Sequence, residues 1–159
     1  MADGPMDVGQ FLREREERVL AAAHATVGRA HLAHYEVAGT QVTDDRLRAL
    51  LDLLIDCCDD HRLDPVVAYA DRLAAERHGS GYPLTEVQTA INVLEEAVWH
   101  AISSEAPPAD QGYALGLVST ALGVVKDRVA CSYIEQITSR PAKTLRLDYL
   151  FGGSEGMRS

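Results

Sequence analysis

The tightest constraint on this chain is its hydrophobic period. In LTEVQTAINVLEEAVWHAI, residues 84 to 102, apolar residues recur every three or four positions, and no segment of the chain sustains an alternation of period two. Such a pattern lays apolar stripes along helices and offers no face for a sheet, so the fold class is all-α. At 159 residues the chain has the size of one domain, long enough to bury one core and too short for two ordinary ones. A single bundle of about five helices is expected, packed like a four-helix bundle or like a globin without haem.

Punctuation divides the bundle. Residues 1–6 read as a flexible N-terminus and 7–139 as the helical domain. A first long helix runs from about Asp7 to Tyr35, with Leu12, Val19, Ala23, Val27, Ala30 and His34 near one stripe and REREER around it. Gly39 marks a break, and Thr43 is a suitable N-cap for a second helix, with Asp44 and Asp45 where the helix dipole favours carboxylates. Leu47, Leu50, Leu51, Leu54 and Cys58 form its buried face, and it ends near His61.

Asp64 followed by Pro65 starts a short third helix that stops at Gly79, with Val66, Tyr69, Ala70 and Leu73 as its stripe. GSGYP is a turn, and TEVQ, Thr85 to Gln88, has the form of a capping box opening a fourth helix from about Leu84 to Ser103. The loop SSEAPPADQGY offers Asp110 as the cap of a long fifth helix, Asp110 to Ser139. This helix carries Leu115, Val118, Leu122, Val125 and Val129 on one face and Leu117, Ala121, Val124 and Ile134 on a neighbouring one. A helix apolar on two sides has two neighbours in its own bundle or a subunit interface, and both readings stand. Residues 140–151 are expected to dock back through Leu145, Leu147, Leu150 and Phe151, and 152–159 to form a disordered tail.

Charge narrows the partners. With 24 acidic against 15 basic residues the net charge is −9, a field that repels a nucleic-acid duplex. Only Arg140, Lys143 and Arg146 offer a basic patch near the end of the chain. Three cysteines, Cys57 and Cys58 adjacent, do not make a disulfide framework. No apolar run approaches a membrane span and no signal peptide opens the chain, so a cytoplasmic protein with no nucleic-acid or membrane partner is expected.

No catalytic constellation stands out. There is no Gly-x-Ser-x-Gly elbow, and GSG lacks the glycine spacing that cradles phosphates. Adjacent cysteines on a helix point about 100° apart, which suits neither tetrahedral zinc nor a Cys-x-x-Cys redox pair. A metal or haem alternative rests on His24, His31, His34 and Tyr35 with Glu96 and His100, although Glu-x-x-His, the di-iron signature, does not occur. A solvated strip beside the core is the simpler reading of those histidines. Haem also lacks its aromatic packing, since the two phenylalanines, Phe11 and Phe151, sit near the ends of the chain. No cofactor is expected.

Within the fourth helix, Val87, Ile91, Leu94, Val98, Ala101 and Ile102 converge on one face. Trp99, the single tryptophan, falls off it, at the azimuth of Gln88, Asn92 and Glu95. An indole so placed either closes the bundle's border or meets a ligand or partner. Trp99, Tyr82, Gln88, Asn92 and Glu95 are therefore the candidate contact residues, with a small-ligand pocket near Trp99 and Tyr82 as a further alternative.

The stretch RLAAERHGSGYPLTEVQTAINVLEEAVWHAI resembles the helical N-terminal domain of the RsbR-type stressosome co-antagonists, a domain also found ahead of histidine kinases and helix-turn-helix regulators. The shared order is a helix ending in a His-Gly junction, a leucine-led helix (Leu84 to Val87), and a tryptophan, Trp99, fifteen residues beyond Leu84. FLREREERVL and DDRLRALLDLLIDC fit the same layout, so the resemblance extends over residues 8–139. It implies a non-enzymatic sensory or regulatory input domain for a stress or two-component-type pathway. Such a domain is homodimeric, here through parts of the first and fifth helices, and passes its signal to a signalling protein such as a kinase or transcription regulator. No such output module follows Arg140, so the expectation is a free-standing regulator acting in trans or an excised sensor domain.

Overall fold

The computed structural model describes residues 4–139, and all regular structure among them is helical. Seven helices follow in order: α1 Val8–Arg13, α2 Glu16–Ala30, α3 Ala33–Ala38, α4 Thr40–Asp60, α5 Asp64–Gly79, α6 Leu84–Glu105 and α7 Pro108–Ser139. The docking segment 140–151, its Arg140, Lys143 and Arg146, and the tail 152–159 lie outside the described residues, as do residues 1–3.

The expected first helix is three helices. After Leu12 its apolar stripe would continue at positions 15 and 16, which hold Arg15 and Glu16, so the chain breaks there instead of burying two charges. Arg15 closes the break itself: its guanidinium donates to the Phe11 carbonyl at 3.0 Å and lies 3.7 Å over the Phe11 ring. Asp7 caps α1 by accepting from the Gln10 amide at 2.8 Å. The second break is at His31, in the left-handed region at φ 50°. It turns the chain so that Leu32 and Tyr35 are buried.

Four expected caps are also replaced. Thr43 lies inside α4 and is buried, its hydroxyl 3.5 Å from the Tyr35 carbonyl, because Gly39 at φ +92° lets the helix start at Thr40. The Thr85–Gln88 box does not form: extended Pro83 leads directly into Leu84, so Thr85 is already helical and its carbonyl accepts from the Thr89 hydroxyl at 2.7 Å. Leu63, not Asp64, precedes α5, and the Asp64 carboxylate takes the Arg62 guanidinium at 2.6 and 3.1 Å. Asp110 sits in the first turn of α7, which begins two residues earlier at Pro108.

The helices run between two ends of one bundle. Arg15 and Arg18, at the start of α2, meet Glu105 at the end of α6, and His34, just beyond α2, meets Glu86 at the start of α6. Arg46, early in α4, bonds Tyr82, and His61, after α4, faces Tyr113 early in α7 at 3.2 Å. Thus α2, α5 and α7 point toward the Tyr82 end, and α4 and α6 point away from it.

The expected core stripe of α6 is buried throughout, as are Leu47, Leu50, Leu51, Leu54 and Cys58 of α4. Most of the second apolar face of α7 is covered within the bundle: Ala121 is buried, and Leu117 and Val124 pack against the core, because α7 has α4, α5 and α6 as neighbours. What stays outside is the last part of α7. At 32 residues against 22 for α6, α7 is about 15 Å longer. The Tyr133 hydroxyl donates to the Tyr82 carbonyl at 3.0 Å, so Tyr133 is level with the start of α6. Ile134 and Ile137 beyond it are 59% and 55% exposed.

Candidate functional site

Tyr82 is where the helices meet, and a turn puts it there. The Tyr82 amide donates to the Arg77 carbonyl at 2.9 Å and the Gly81 amide to the His78 carbonyl at 3.1 Å. With Gly81 at φ +79° this is a Schellman closure, which brings the residue after the glycine back over the last turn of the helix. The residue it meets there is Arg77, whose guanidinium carbon lies 5.5 Å from the centre of the Tyr82 ring.

Other elements converge on the same ring. Arg46 of α4 donates to the Tyr82 hydroxyl at 2.8 Å with its guanidinium carbon 5.3 Å from the ring centre, and that hydroxyl donates in turn to the His34 carbonyl at 3.2 Å. Tyr35 meets the ring edge-on at 5.3 Å and His34 is tilted against it at 4.9 Å. Burial raises the Tyr35 hydroxyl above its ordinary range, with Arg77 acting in the opposite sense. It also pushes the Tyr69 and Tyr133 hydroxyls up to about 12.

Arg77 is 3% exposed. Its Nη1 pairs with the Glu76 carboxylate, while its Nε, among the described residues, is the buried side-chain polar atom with no hydrogen-bond partner. Sequence reading missed this arginine although its signal was present. The buried stripe Val66, Ala70, Leu73 has its next position, four residues on, at Arg77, so a cation sits where an apolar residue belongs.

The remaining contact candidates lie along α6. Trp99 is 44% exposed. Asn92 and Glu95 both accept from Lys126 of α7, at 3.1 and 2.6 Å, and Glu95 is buried. Gln88 is half-buried beside them. Tyr82 and Trp99 are not brought together: Trp99 lies about 22 Å along α6 from Leu84, toward the opposite end of the bundle.

The histidines do not converge either. His31 pairs with Glu36 at 3.0 Å on the surface and His34 with Glu86 at 3.2 Å. His24 is half-buried on α2, and Glu96 and His100 are exposed on α6. Among the described residues no group of three or more histidine, cysteine, aspartate or glutamate side chains is placed to hold a metal ion.

A cleft of about 410 Å³ at the opposite end runs between α4 and α7, lined by Cys57, Cys58, His61, Tyr113 and Leu117 among others. Burial pushes the Cys58 thiol up to about 12 and raises that of Cys57, which keeps both protonated and poor nucleophiles near neutral pH. Among the described residues no helix is long and apolar enough to cross a membrane.

Residues 13–139 match the family model described as the RsbT co-antagonist protein rsbRD N-terminal domain. No curated protein and no solved structure matches the chain.

Proposed function

We propose, from the premise that this chain belongs to the family of RsbT co-antagonist protein rsbRD N-terminal domains, that it acts without catalysis, through dimerisation and protein–protein contact. The family is one of stress-signalling regulatory domains, and that membership is the observation that carries the reading. The residues support it in two places.

The first is the Tyr82 end, where exposed aliphatics gather. Ile134 and Ile137 project on the overhang of α7, and Val37 of α3 is 90% exposed. The Tyr82 hydroxyl and carbonyl tie α3 and α7 to this one end. Aliphatic side chains so exposed at one end of an acidic molecule are suited to burial against a second copy. The seam proposed here combines α3, which continues past the Tyr35 end expected for the first helix, with the last turns of the expected fifth helix.

The second is Trp99, whose exposed indole at the far end suits a signalling partner such as a kinase or a transcription regulator, since aromatic side chains are favoured anchors at interfaces. Light scattering over a micromolar dilution series tests the assembly. The expected mass is that of a dimer; a monomer throughout the series removes the dimer from the account.

A further inference from the structure

We infer that the groove between α4 and α5 is a binding site for a small organic anion, a carboxylate or phosphate monoester with an apolar body, held by Arg46 and Arg77. The site would supply an input to the regulatory role proposed above. Because binding is measured on the chain itself, its failure would leave that role and the dimer standing.

The groove has a volume of about 330 Å³, at the small end of the ~300–1,000 Å³ range of ligand pockets. Arg46, Arg72 and Arg77 line it against Asp45 and Glu76, so its wall has a cationic excess. Tyr69 and Leu73 give it an apolar side. A pocket with one apolar side and a pair of convergent guanidinium groups fits an anionic head on an apolar body.

The state of Arg77 points to the head group. Burying a guanidinium with one N–H unanswered is costly, and such groups are rare outside functional sites. The Tyr35 hydroxyl also meets the guanidinium, but its carboxylate partner is a poor one. Glu76 is the preceding residue on the same helix, so the two side chains leave the axis about 100° apart, and the carboxylate, 62% exposed, must reach across to Nη1 while leaving Nε bare. The same carboxylate oxygen lies 3.8 Å from Nη2 of Arg46. Glu76 thus marks a position from which one oxyanion faces both guanidinium groups, and being mostly solvated it can be displaced. An incoming anion in that position would take Nη1 of Arg77 and Nη2 of Arg46 and rest its body on Tyr69 and Leu73. Arg46 also holds the Tyr82 hydroxyl, which holds the His34 carbonyl, so occupation of the groove acts directly on the joint between α3, α4 and the turn before α6.

The test is a titration of the full ¹⁵N-labelled chain with benzoate, read by calorimetry and at the assigned arginine guanidinium resonances. Phenyl phosphate and inorganic phosphate serve as parallel probes. The expected result is saturable one-site binding in which the Arg77 guanidinium resonances shift while those of exposed arginines stay. Both aromatic anions should bind more tightly than inorganic phosphate. Arg46→Gln should weaken benzoate about tenfold, the value of one charged hydrogen bond, and Glu76→Gln, which removes the internal competitor, should tighten it several-fold. Arg77 guanidinium resonances that do not respond would overturn the inference. Glu76→Gln with unchanged or weaker affinity would do so as well, in variants whose circular dichroism and thermal melts match the folded wild type.

Discussion

The two ends of α6 are built on opposite terms. At the Glu105 end the polar groups answer one another: Arg15 and Arg18 take Glu105 and Gln111 donates to the Ser103 and Ala106 carbonyls at 3.2 and 3.0 Å, while halfway along α6 Lys126 joins Asn92 to Glu95. Trp99 stands half-exposed beside this closed arrangement. At the Tyr82 end one buried ring gathers four elements, a buried guanidinium keeps a bare N–H, and aliphatic side chains face outward. An end whose donors and acceptors are matched resists change, and an end with an unanswered donor and uncovered apolar surface is prepared to meet something.

Substitution at the two aromatic residues is the strongest way to break this comparison. Tyr82→Ala should cost about 3–5 kcal/mol, the range for deleting a large buried ring, whereas Trp99→Ala should cost about 1 kcal/mol because the indole is half in water already. Urea unfolding measures both, and equal losses would erase the distinction between the ends.

Next in size is titration. The Tyr69 and Tyr133 hydroxyls, both at the Tyr82 end, are held near 12 against an ordinary value of 10. A folded value above the unfolded one leaves stability complete below pH 10 and drains it as the pH climbs toward 12. The urea midpoint should therefore fall over that interval, and Tyr69→Phe should flatten the fall; a midpoint independent of pH there would contradict the burial of these hydroxyls.

Glycine gives a smaller contrast. Gly81→Ala, at φ +79°, should destabilise by about 1–2 kcal/mol and loosen the turn that holds Tyr82. Gly28→Ala, inside α2 with open space around its Cα, should stabilise by about 0.5–1 kcal/mol. Thermal melts of the two variants should move in opposite directions.

The smallest effect is expected in acid. Hydrogen bonds from Arg128 and Ser132 lower the Asp71 carboxyl below its ordinary 3.8, and those from Arg18 and Arg15 lower Glu105 below 4.5. Their contribution is whole above those values and is lost as the pH falls through the lowered ones. Both pairs are solvated, so the slope should be slight and screened by salt.

The parts of this architecture that depend on local period were legible in the sequence. The stripe of α6, the face of α4 and the stop before Tyr82 follow from residue spacing alone, and the family pattern of glycine, leucine and tryptophan was visible in the same stretch. The breaks in the first helix were harder to see, because the charges of REREER suit a solvated helix face as well as they suit a kink. Only the packing of α1 against α4 and of α2 against α6 decides between them. The capping signals at Thr43 and Thr85 were outweighed by the backbone of Gly39 and Pro83, which set the helix starts before either threonine. The Arg77 site was hidden for a different reason. One charged residue on an apolar stripe is visible in the sequence, but the groups around it, Tyr35, Arg46 and Tyr82, lie far apart in the chain and are joined only by the fold.

The central claim is that the Tyr82 end, not the Trp99 end, carries the self-contact. Sedimentation velocity on the wild type, on Ile134→Glu with Ile137→Glu, and on Trp99→Glu tests it most directly. The account predicts a dimer for the wild type and for Trp99→Glu, and a folded monomer for the double variant. A double variant that stays dimeric, or dissociation by Trp99→Glu alone, would contradict it.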